Sequence, residues 1–92
     1  MPAVYFHVRW PDQTESHCYS PSTVIHEYFA PGDQLPMSEF LTRAETGLTL
    51  ASERVRAKFG FACSSAMDQL ASIEVAARRF APDAVVEVLS VD

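Results

Sequence analysis

Along residues 3–10 apolar and polar positions alternate: Val4, Phe6, Val8 and Trp10 fall on one side, Tyr5, His7 and Arg9 on the other. Aromatic and β-branched residues at period two predict a half-buried strand. Pro11-Asp12-Gln13 interrupts the pattern with turn chemistry, and residues 14–19 resume it, so a β-hairpin follows. A three-residue turn sets Trp10 opposite Thr14. It then places Arg9 opposite Glu15, His7 opposite His17 and Tyr5 opposite Tyr19, which gives one opposite-charge pair and one aromatic pair. This register sends Cys18 inward beside Phe6, whereas a slip of one residue would turn it outward.

Ser20-Pro21-Ser22-Thr23 reads as a helix start, with Ser20 as cap and Pro21 at the first helical position. Val24, Ile25, Tyr28 and Phe29 give that short helix an apolar stripe, and Ala30-Pro31-Gly32 ends it. Residues 30–36 hold two prolines and a glycine, so a mobile loop is expected there. From Met37 to Phe59 the period turns helical, with Phe40, Leu41, Ala44, Leu48, Ala51 and Val55 on one stripe. Gly47 lies within it and predicts a local kink, at a cost of about 1 kcal/mol relative to alanine. Gly60 stands where a helix-ending glycine belongs. Phe61-Ala62-Cys63 makes a tight connection, and Ser65 with Asp68 resembles a capping box. Ala66, Leu70, Ile73, Ala77 and Phe80 form the next stripe. Residues 85–91 are apolar on both faces except for Glu87 and Ser90, which predicts a final strand.

The order β-β-α-α-α-β implies an α+β fold over residues 1–92 as a single domain. It is expected to hold a small three-stranded sheet with the N-terminal hairpin, the last strand beside the first, and the helices packed on one face. With 92 residues and 48% apolar content, a chain of this size builds one modest core and no deep private active site. A net charge of −5, from seven basic and twelve acidic residues, argues against nucleic acid, whose phosphates call for a basic face. Arg54, Arg56 and Lys58 are the one basic concentration, and Glu53 and Glu45 lie nearby. No apolar run is long enough to span a membrane. The N-terminus lacks the basic and apolar regions of a secretory leader, and the two cysteines show no CxxC spacing. A cytoplasmic location is the expectation.

Candidate chemistry is sparse. Cys63 precedes a helix start, where backbone N–H groups favour a thiolate, and Arg56 and Lys58 are close in sequence. Against that, no general base accompanies it, and a small buried residue would serve equally well. His7 and His17 face one another on the hairpin and are the weak metal candidates, but the spacing supplies no third ligand. No phosphate-binding glycine loop, nucleophile elbow or zinc helix motif is present, so no cofactor is expected. The outer sheet face is the richer feature. Tyr5 and Tyr19, with Arg9 and one side of the last strand (Leu89, Val91), would form a partly apolar surface suited to a partner protein or a second copy. Arg54, Arg56 and Lys58 form a secondary patch.

Three stretches carry a family resemblance: Val8-Arg9-Trp10-Pro11-Asp12, Cys18-Tyr19-Ser20-Pro21-Ser22, and residues 54–64, ending Phe61-Ala62-Cys63-Ser64. With the total length, they make the chain similar to a family of small bacterial nitrogen starvation response proteins. The resemblance implies a setting in gene clusters beside a nitrilase, and the use of nitrile or cyanide nitrogen. It supplies no catalytic residues. One departure is the turn Pro11-Asp12-Gln13, where the family pattern is Asp-Gly. The reading is a cytosolic accessory protein acting through protein contact, with a thiol-dependent or small-molecule-binding enzyme at Cys63, beside Arg56 and Lys58, as the alternative.

Overall fold

A computed structural model describes residues 3–60 and 64–92. Strand β1 (Val4–Arg9) and strand β2 (Glu15–Ser20) form the hairpin. Their register matches the cross-strand argument, with Arg9 opposite Glu15, His7 opposite His17, Tyr5 opposite Tyr19 and Cys18 inward beside Phe6. The turn closes through Gln13 N–H donating to Trp10 C=O and Trp10 N–H donating to Thr14 C=O. Gln13 adopts φ 75°, the left-handed conformation in which glycine carries no steric cost. Asp12 Oδ1 accepts from both the Thr14 hydroxyl, at 2.6 Å, and the Thr14 N–H. The Thr14 hydroxyl is the main reason the Asp12 carboxyl is held below its ordinary value.

After β2 the chain forms a 3₁₀ helix, Thr23–Glu27, in place of the short α-helix. Ser22 supplies the cap, its Oγ accepting from Val24 N–H, while the Ser20 hydroxyl donates to the Ser22 carbonyl. Residues 30–36 are more ordered than their prolines imply. They contain strand β3 (Gln34–Pro36), and Gly32 N–H and Val88 N–H donate to Val88 C=O and Asp33 C=O respectively. Helix α1 (Met37–Phe59) follows, then helix α2 (Ser64–Ala77) and strand β4 (Val85–Val91). Helix α1 ends on Gly60 at φ 86°, whose N–H donates to Arg56 C=O.

Among the described residues the sheet has four strands, not three, in the order β2-β1-β4-β3, all antiparallel. β1 is internal, with the last strand beside it as the pattern requires. The added member, β3, is too short to show a period of its own. The class is α+β. Val4, Phe6, Val8, Trp10, Cys18, Val86 and Val88 cover the inner face and meet Phe40, Ala44 and Leu48 from α1, and Leu70, Ile73 and Ala77 from α2. Phe6, Phe29 and Phe40 form a chain of ring contacts at 5.3 Å. Burying such aromatic and aliphatic side chains contributes roughly 1.5–3 kcal/mol each.

Gly47 does not interrupt α1, which runs as one helix. The residue serves close packing instead: a Cβ there would stand 2.8 Å from Ile25 Cδ1 and 3.1 Å from Tyr28 Cδ2. The 3₁₀ helix therefore lies directly against the backbone of α1.

Candidate functional site

The helices pack on the inner side of the sheet, which leaves the outer side carrying the odd-numbered residues of β1 and β2. Tyr5 is 53% exposed, and its ring centroid lies 5.7 Å from that of Tyr19. Next along the hairpin, the imidazoles of His7 and His17 stack at 4.0 Å with a 19° interplanar angle. At the turn end Arg9 stands between two carboxylates, 3.7 Å from Glu15 and 3.5 Å from Glu87. A diagonal polar contact crosses the face, His7 Nε2 to Glu15 Oε1 at 2.8 Å. Aromatic rings thus occupy one end of the face and charged groups the other. The ion pairs are partly exposed, and pairs of that kind contribute little to stability, about 0–1 kcal/mol.

A shallow pocket of about 380 Å³ opens at the charged end, lined by Arg9, Trp10, Gln13, Gln34, Val85 and Glu87. Sequence reasoning did not include Glu87 in the site. The signal was present, since Glu87 and Ser90 are the polar interruptions in an otherwise apolar strand. Val91 does not join the outer face as expected. The β1–β4 register shifts between His7 and Val8, leaving Leu89 without a pairing partner, and Val91 comes opposite Phe6 and packs against the core.

The remaining candidates are dispersed. Arg54, Arg56 and Lys58 are exposed on the last turns of α1. That helix of 23 residues is about 35 Å long, close to the 39 Å long dimension of the molecule, and it lies on the side of the sheet away from the tyrosines. Arg56 pairs with Glu53 at 3.8 Å, and the Lys58 ammonium lies 5.7 Å from the Phe59 ring centroid. Cys63 lies outside the described residues. Cys18 is buried, and burial pushes its thiol up to about 12. Among the described residues no three His, Cys, Asp or Glu side chains come together as a metal site. Among the described residues no helix is long and apolar enough to cross a membrane either.

A second feature lies along the edge of β2, on the side facing α2. The indole N–H of Trp10 donates to Ser16 Oγ at 2.8 Å, and the Tyr19 N–H donates to Gln69 Oε1 at 3.0 Å. A groove of about 230 Å³ runs between β2 and α2, lined by Ser16, His17, Gln69, Ser72, Ile73 and Ala76 among others.

The architecture and the site define a small α+β protein whose helices cover one side of a four-stranded sheet and leave a mixed aromatic and charged surface on the other. The family model of the nitrogen starvation-induced protein NitG matches residues 5–91, and the chain belongs to that family. No curated protein and no solved structure matches it.

Proposed function

We propose that this nitrogen starvation-induced protein is a non-catalytic accessory that works in the cytoplasm by binding another protein through the outer sheet face. The observation that carries the reading is the exposed Tyr5 ring beside Tyr19, on a sheet face that neither helix covers. Tyrosine is suited to such contacts, because it brings a large apolar area and a polar tip at low entropic cost. Glu15 and Glu87 outnumber Arg9 at the other end of the face. The partner that fits presents an apolar contact for the tyrosines and a basic side chain for the carboxylates. The sequence resemblance supports a setting in the use of nitrile or cyanide nitrogen.

Site-specific photo-crosslinking in nitrogen-starved cells tests this. A photoreactive phenylalanine analogue at position 5 is expected to capture one defined protein. The same group at Val75, exposed on α2, is expected not to. The captured protein, purified, should bind the wild-type chain and lose at least about tenfold in affinity to Tyr5→Asp, about 1.4 kcal/mol. Equal capture at both positions, or undiminished binding by Tyr5→Asp, would overturn the proposal.

A further inference from the structure

The two edges of the sheet are unequal. β3 is three residues long and ends in Pro36, which has no N–H to offer a neighbouring strand, and short proline-bearing edges resist further pairing. β2 has six residues, ESHCYS, with neither proline nor lysine. The hydrogen bond from Trp10 N–H to Thr14 C=O fixes the phase of the hairpin. In an antiparallel ladder bonded and non-bonded pairs alternate, so Ser16 and Cys18 point their backbone groups toward β1, and Glu15, His17 and Tyr19 point theirs away. Two contacts agree with this phase: Tyr5 C=O accepts from Asp92 N–H on the β4 side, and Tyr19 N–H reaches Gln69 on α2.

We infer that a second copy of this chain pairs with the first through β2, antiparallel about a twofold axis at Ser16, to make one continuous sheet. Gln69 selects this register. An axis at His17 would require the Tyr19 N–H, which Gln69 already holds. An axis at Ser16 uses only the N–H and C=O groups of Glu15 and His17, giving about four backbone hydrogen bonds between the copies. It also sets Glu15 of each copy opposite His17 of the other on the outer face, an attractive cross-strand pair formed twice. The two Ser16 side chains meet on the inner face, where the groove beside Ser72 and Ala76 leaves room for a small residue. The self-pairing is isologous, as twofold interfaces are. It joins the two outer faces side by side and leaves Tyr5 uncovered.

The experiment is the mass of the full chain by sedimentation equilibrium from about 5 to 500 μM, with amide hydrogen exchange followed across the same range. The expected result is a rise from 10.2 kDa toward twice that value, with the Glu15 and His17 amides slowing as the dimer forms. His17→Pro removes an N–H that points away from β1, so it is expected to keep the fold, checked by circular dichroism, and to remain at the monomer mass. His17→Glu opposes two like charges and should weaken the dimer at least tenfold, and adding Glu15→Lys should restore it. Tyr5→Asp, on the outer face, should leave self-association unchanged. A monomer at every concentration would overturn the inference. A dimer in which the Glu15 and His17 amides exchange as fast as in the monomer would overturn it too, whatever the variants do. Neither outcome would touch the crosslinking result at position 5.

Discussion

Gly47 and Ile25 meet where the 3₁₀ helix crosses α1: a β-carbon on Gly47 would lie 2.8 Å from Ile25 Cδ1, and Ile25 is fully buried. Two effects oppose each other at this position. Alanine in a helix interior gains about 1 kcal/mol over glycine, while an extra carbon in a packed core costs about 1–3 kcal/mol. Tyr28, at 3.1 Å from the same point, limits how far Ile25 can move aside. Gly47→Ala should therefore destabilise the protein by about 1 kcal/mol in urea unfolding, despite its better helix propensity. A stabilised variant would show that the Ile25 side chain relaxes freely.

The hairpin turn carries the opposite kind of defect. Gln13 holds φ 75°, a conformation that costs a side-chain-bearing residue about 1–2 kcal/mol. Glycine removes that cost and adds some chain entropy to the unfolded state, which returns about 0.5–1 kcal/mol. Gln13→Gly should leave a net gain of about 0.5 kcal/mol, a rise in Tm of about 2–4 °C for a domain of this size. Calorimetry on the wild type and the variant reads it directly.

Cys18 should be silent toward thiol reagents in the folded state. Burial destabilises the thiolate and raises the thiol from 9.0 to about 12, and the thiolate is the species that alkylates. The folded value lies above the unfolded one, so the thiol's contribution to stability is complete below about pH 9 and is lost as pH rises toward 12. Iodoacetamide at pH 8 followed by peptide mass spectrometry should leave Cys18 unmodified in native protein and label it in urea. Labelling of native Cys18 at a rate comparable with the urea sample would contradict its burial between the sheet and the helices.

Much of this architecture is legible in local pattern. The alternation from Val4 to Trp10 placed β1, and the Arg9–Glu15 and Tyr5–Tyr19 pairs selected the hairpin register without reference to any other element. The helical stripe from Phe40 to Val55 located α1 with the same ends, because Gly60 and the start of periodicity at Met37 mark them chemically. The candidate surface was legible in part: Tyr5, Arg9 and Tyr19 share the outer face with His7 and His17. Val91 was misplaced because a shift in register between His7 and Val8 reverses the side to which the end of β4 points. A bulge of this kind leaves no periodic trace in a seven-residue strand.

What the sequence determined by itself is the set of elements whose signal is short-range: a period of two, a period of 3.6, a turn, a terminal glycine. Tertiary structure decided the rest. Gln34–Pro36 becomes a strand because Val88 and Asp33 exchange bonds with their neighbours across the β4 edge, although its own composition reads as loop. Gly47, which as a sequence feature predicts a kink, becomes a point of close approach for Ile25. Glu87 enters the site only when β4 lies beside β1 and brings its carboxylate to Arg9. Each of these depends on a contact between segments distant along the chain. Local propensity cannot encode such contacts, since the free energy that selects them comes from packing and pairing formed only in the assembled fold.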